Sequence, residues 1–106
     1  MAWTVEELAR WLDEVEPRME QLDLFAWLGL TPDASPAEIQ PAFHAVARTR
    51  HPDLFRTRLA AAELDRLVRA YARVTNAYAE LRDPAACEAY ARRLRPRPAQ
   101  VARTRT

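Results

Sequence analysis

Two stretches of this chain repeat apolar residues at alternating spacings of three and four. Val5, Leu8, Leu12, Val15, Met19 and Leu22 do so near the start, and Leu64, Leu67, Tyr71, Val74, Tyr78 and Leu81 further on. Such spacing gathers all members of a set on one side of an α-helix and scatters them over both faces of a strand. An architecture of β-hairpins has almost nothing to build on, because the chain holds one glycine in 106 residues and tight hairpin turns need residues that accept positive φ. Alanine, leucine, arginine and glutamate dominate, and all four favour helix. The expectation is an all-α fold of one domain, with 49% hydrophobic residues filling a small core.

Prolines and small polar residues divide the helices. Thr4 with Glu7 three positions on forms a capping box and starts the first helix. Pro17 interrupts its stripe, which predicts two helical pieces meeting at a kink near Glu16. Asp23 to Gly29 reads as a short apolar helix carrying Leu24, Phe25, Trp27 and Leu28, with Gly29 able to take the left-handed conformation that ends it. Ser35-Pro36-Ala37-Glu38 is another helix start. Ile39, Phe43, Val46 and Ala47 share one face of the helix it opens, and Pro52 stops that helix at about Arg50 or His51. A long helix is predicted from about Arg58 to Leu81, roughly 35 Å at 1.5 Å per residue, lying antiparallel to the 36–50 helix. Asp83-Pro84 opens a last short helix, with Tyr90 and Leu94 turned inward. The Arg-Pro stretch 95–106 has no core-forming periodicity and is expected to be disordered.

Charge is unevenly spread. Residues 1–22 carry six acids and two arginines, residues 23–94 nine acids and ten arginines, and residues 95–106 four arginines and no acid. The basic excess therefore sits in the tail, so nucleic acid is not an expected partner of the folded part. The single cysteine, Cys87, excludes an intrachain disulfide and fits a reducing compartment. No charged start precedes an apolar run, and no apolar stretch is long enough to span a membrane. A cytoplasmic protein without a membrane segment is the expectation.

The most informative residues are His51, Pro52 and Asp53, at the tip of the predicted hairpin. Their surroundings carry more weight than the tripeptide. A short helix ends in Leu28-Gly29; a turn leads to Asp33-Ala34-Ser35; Glu38-Ile39 and Ala42-Phe43 come next, and then His51-Pro52-Asp53. Downstream come Tyr71, Val74, Ala77-Tyr78, Leu81, Asp83-Pro84 and Tyr90. Over residues 23–94 this pattern resembles the J-domain (DnaJ-like) co-chaperone family. The resemblance implies a helical hairpin that docks on a DnaK-type heat-shock chaperone and triggers its ATP hydrolysis through the His-Pro-Asp loop. It implies no catalytic residue, cofactor or metal of its own, so the chain is not expected to be an enzyme. The chaperone-binding residues would be His51, Pro52 and Asp53 with Arg48, Arg50 and His44. Each type suits the role: Pro52 narrows the loop's directions, Asp53 is an anion able to pair with an arginine of the partner, and His51 has two ring nitrogens and could cap the preceding helix. Tyr71 lies eighteen positions beyond Asp53, which with Phe55 is reminiscent of the iron–sulfur-cluster co-chaperone branch.

The sequence departs from the family pattern in three ways. The outward positions of the 36–50 helix, basic in active members, hold Gln40, Pro41, His44 and Ala45, leaving Arg48 and Arg50. Pro41 should cost the hydrogen bond to the Ala37 carbonyl and kink the helix. Cys87 and Ala91 stand where an arginine and an aspartate are expected. These departures open a second reading, a J-like interaction adaptor that has lost ATPase stimulation. Residues 1–22 are expected to pack back on the domain as an extra helix, the other reading being contact with a second protein as a short coiled coil. Cys87 reads as a half-buried helix residue, and Tyr71, Tyr78 and Tyr90 as core residues with hydroxyls reaching outward.

Overall fold

The computed structural model describes residues 1–94, and the expected disorder of the 95–106 tail lies outside the described residues. Five α-helices succeed one another without a strand among the described residues: α1 (Val5–Val15), α2 (Leu24–Trp27), α3 (Ile39–Arg50), α4 (Ala61–Leu81) and α5 (Pro84–Leu94). Short 3₁₀ turns at Glu16–Arg18, Pro36–Glu38 and Pro52–Leu54 contain Pro17, Pro36 and Pro52, while Pro84 opens α5 directly. No helix among the described residues is long and apolar enough to cross a membrane.

The predicted capping signals form. The Glu7 amide donates to Thr4 Oγ1 at 3.1 Å, and the Thr4 amide to the Glu7 carboxylate at 2.8 Å. Asp23 accepts from the Ala26 amide at 2.8 Å, and Asp83 from the Ala86 amide at 3.0 Å. Gly29, at φ +74°, ends α2 with the paired bonds of a Schellman turn: Leu30 N–H to Phe25 C=O at 2.8 Å and Gly29 N–H to Ala26 C=O at 3.0 Å.

The hairpin of α3 and α4 is antiparallel. Phe43 stacks on Tyr78, ring centroids 4.2 Å apart, and eight residues later His51 meets Tyr71 at 5.0 Å. As one helix advances, its contacts on the other recede. α1 instead runs parallel to α4. Arg66 bridges Asp13 and Glu16, and Arg73 bridges Glu20 and the Met19 carbonyl, so both numbers climb together. The acids of the N-terminal segment thus neutralise arginines of α4.

One core runs through all five helices. Leu8, Leu12, Phe25, Ile39, Phe55, Leu67, Val74, Ala77, Leu81 and Cys87 are buried to within about a percent. The apolar stripe of α1 is therefore buried within its own chain, and it is not free to form a coiled coil with another protein. Met19 and Leu22, beyond the single 3₁₀ turn after α1, pack against the margin of the same core.

Five local expectations are corrected. The long helix starts at Ala61, not near Arg58, because Phe55 is drawn fully into the core and the chain winds around it in turns, with Arg58 and Leu59 amides both bonded to the Phe55 carbonyl. Pro41 costs less than expected: the winding changes from 3₁₀ to α at Ile39, which places Pro41 in a first turn, where amides have no intrahelical acceptor. Cys87 is fully buried, while Leu94 is 39% exposed and faces outward. The Tyr90 hydroxyl does not reach outward; it accepts from the Leu24 amide at 3.1 Å and so ties α5 to the start of α2.

Candidate functional site

The site lies where α3 ends. His51 breaks the helix with extended backbone, φ −60° and ψ 134°, as a residue before proline must. Pro52 then begins the 3₁₀ turn Pro52–Leu54, with its φ preset by the ring. His51 does not cap α3 with its side chain. Its Nδ1 accepts from the Asp53 amide at 3.0 Å and so caps the 3₁₀ turn instead. With Nδ1 occupied as an acceptor, the neutral ring carries its proton on Nε2, which is left as the donor. The ring packs against Tyr71, whose own hydroxyl pKa burial pushes up.

Asp53 faces solvent. Its carboxylate accepts from Arg56 Nε at 2.7 Å and lies 3.8 Å from His51 Nδ1, yet 64% of the side chain stays accessible. The hydrogen bond from Arg56 is the main reason its pKa falls below the ordinary 3.8; desolvation opposes it, and the charge of Arg56 adds a smaller lowering. At neutral pH it is an anion. Exposed pairs of this kind contribute little, so Arg56 holds the carboxylate only loosely.

Phe55 is the anchor beneath. Fully buried, it closes the turn by donating its amide to the Pro52 carbonyl at 3.0 Å, while the Leu54 amide donates to the His51 carbonyl at 2.9 Å. Leu54, 39% exposed, points the other way. The tip therefore presents an imidazole, a proline ring, a carboxylate and an aliphatic side chain together.

The remaining expected residues are less alike. His44 and Arg48 are exposed on α3, with Gln40 and Pro41 on the same side. Arg50 is not free. Its guanidinium sits 4.0 Å over the Trp3 ring and 5.0 Å from that of Trp11, and Trp11 in turn meets Trp27 edge-on at 6.5 Å. Burial lowers its pKa to about 10, which leaves it charged at neutral pH. No group of three or more histidine, cysteine or acidic side chains among the described residues is arranged to hold a metal ion.

Sequence reasoning missed three parts of this arrangement. The Asp53–Arg56 pair was available from its spacing of three, which places side chains on neighbouring positions of a helical turn. Burial of Phe55 had only its aromatic character as a signal. The Arg50–Trp3–Trp11 cluster joins residues more than 35 positions apart in sequence, and no local pattern announces it.

Neither the curated proteins nor the solved structures yield a match. A family model described as DnaJ domain does match, over residues 23–91. That span takes in α2, the α3–α4 hairpin with its His-Pro-Asp tip, and most of α5, and it leaves α1 outside. This chain is a member of the DnaJ-domain family.

Proposed function

We propose that this domain docks on a DnaK-type heat-shock chaperone and stimulates its ATP hydrolysis through His51, Pro52 and Asp53. The observation that carries the reading is the tip itself: an ionised, solvent-facing Asp53 beside an imidazole whose Nδ1 is fixed by the loop backbone. A carboxylate so placed is ready for a charge-assisted, two-point bond to an arginine. Docking would favour the chaperone's hydrolysing conformation by binding it more tightly than the resting one. Such an activity needs no bond-making in this chain, no metal and no cofactor, and it places the protein among co-chaperones, not enzymes. A cytoplasmic setting belongs to the same reading, since a lone buried thiol is at home in a reducing compartment.

The test is single-turnover ATP hydrolysis by a DnaK-type chaperone from the same genome. Added protein should raise the rate, and Asp53→Asn or His51→Gln should abolish the rise while leaving the helical circular dichroism intact. A rise that survives both changes would remove the tip from the mechanism.

One observation favours a second reading, an interaction adaptor without ATPase stimulation. The outward side of α3 offers Gln40, Pro41 and His44, and of its two arginines Arg50 is engaged by tryptophans. That leaves Arg48 as the exposed guanidinium with which to steer toward an acidic surface. A partner that stays bound to the Asp53→Asn protein would support this alternative.

A further inference from the structure

The N-terminal segment lies outside the family match, yet Trp3 touches both stems of the His-Pro-Asp loop. Its amide donates to the Thr49 carbonyl at 3.0 Å, one of the last-turn carbonyls of α3 that the helix itself cannot satisfy. Its own carbonyl accepts from Arg58 Nη1 at 3.3 Å, on the far side of the loop. Its ring lies under the Arg50 guanidinium, one residue before His51, and meets Trp11 edge-on at 6.3 Å. Arg58 also stacks over Phe55, the buried anchor of the turn, at 4.8 Å. A ten-residue connection between α3 and α4 would otherwise be held at its base by Phe55 and its own turns.

The contacts reach the stems and stop there. His51 and Asp53 keep 42% and 64% of their side chains accessible, so the segment does not cover the tip. Trp11 is wedged between Arg50 and Trp27 of α2, which backs the cluster with the core.

From these three contacts we infer that Trp3 is a positioning residue, a staple that holds the stems of the loop and so presets His51 and Asp53 for their partner. The staple is a property of the free protein; its use in docking rests on the chaperone reading above. Where only a fraction of molecules holds the competent loop, apparent affinity falls by that fraction while the effect at saturation is kept. Loss of the staple should therefore move the concentration needed and leave the ceiling alone.

Two measurements on the full chain test this. Amide hydrogen exchange compares the wild type with Trp3→Ala and Arg58→Ala. The amides of Asp53, Leu54 and Phe55 should exchange about five- to tenfold faster in both variants: Trp3→Ala keeps both backbone contacts but takes the ring from under Arg50 and from Trp11, and Arg58→Ala takes the hydrogen bond from the Trp3 carbonyl, each a loss of about that size. Those of Val74 and Ala77 in α4 should not change, and Trp3→Phe should restore most of the protection. Unchanged loop exchange, or a uniform rise that includes α4, overturns the inference. Chaperone ATPase stimulation is then titrated with the same proteins. For Trp3→Ala the half-maximal concentration should rise by a similar factor with the maximal rate kept. A half-maximal concentration that stays put or falls overturns the role in docking, a fall meaning that the segment withholds Arg50 instead. If the wild type itself gives no stimulation, the docking reading fails, and the loop-exchange result decides the staple by itself.

Discussion

Asp53 shows how much of a residue's character comes from its neighbours. A lone aspartate in a loop is an ordinary acid; here a hydrogen bond from Arg56 holds its pKa below 3.8. A carboxylate depressed in the folded state adds stability above its unfolded pKa and gives it up as pH falls through the folded value. Arg56→Ala should move the Asp53 titration upward toward the ordinary value, read by NMR from its side-chain carboxyl carbon between pH 2 and 6. No upward movement would mean that the pair does not form in solution. Cys87 is the opposite case. Burial, with a smaller contribution from the Glu88 charge, raises its pKa, and 1% exposure closes it to reagents. A thiol-reactive dye should label it only as fast as the protein opens, and labelling should jump across the urea unfolding transition. Fast labelling of the native protein would contradict the packing of α5.

Among the elements, α1 depends most on its surroundings. Its capping box and stripe predict a helix at Val5–Val15 without reference to any other part of the chain. What they leave open is the direction in which the stripe faces. In the structure it closes the core over α4 through Leu8 and Leu12, and Asp13, Glu16 and Glu20 pair with Arg66 and Arg73. Hydrogen bonds to Glu16 first and Asp13 second hold the Arg66 guanidinium further toward its charged form. A helix lying outside the matched family region is thus integral to the core. Leu12→Ala should destabilise the protein by about 2–5 kcal/mol, as other large-to-small core changes do. For a chain of this size that lowers the melting temperature by roughly 10 °C or more. A melting temperature within a degree or two of wild type would show that α1 is dispensable. In α3 the change of winding at Ile39 is the local answer to Pro41, since an α-helix running through from Pro36 would lack a hydrogen bond there.

At the scale of the whole molecule, the arrangement is two helices flanking α4 in opposite senses, α3 antiparallel and α1 parallel. The consequence for function is geometric. The chain crosses the end of the hairpin at Trp3 before entering α1, so the first residues of the sequence meet its middle, around Thr49, Arg50 and Arg58. The α4–α5 end is closed separately, by Phe25 against Tyr90 at 5.7 Å and by the Tyr90 hydroxyl on Leu24. Closing both ends leaves the loop tip as the exposed protrusion of the hairpin, with Phe55 rooted below it.

Helix identity, the capped starts of α1, α2 and α5 and the position of the His-Pro-Asp turn were legible in the residues alone, because 3-4 spacing, Thr/Asp caps and proline act over a few neighbours. Val5, Leu8, Leu12 and Val15 say that a helix has an apolar side whatever lies next to it. Tertiary structure decided which surfaces meet. That Arg50 rests on Trp3 and Trp11, that the Tyr90 hydroxyl meets the Leu24 amide, and that Phe55 holds off the start of α4 until Ala61 are outcomes of contacts between distant positions. Their energies depend on how the helices fit together, and no local spacing encodes that fit.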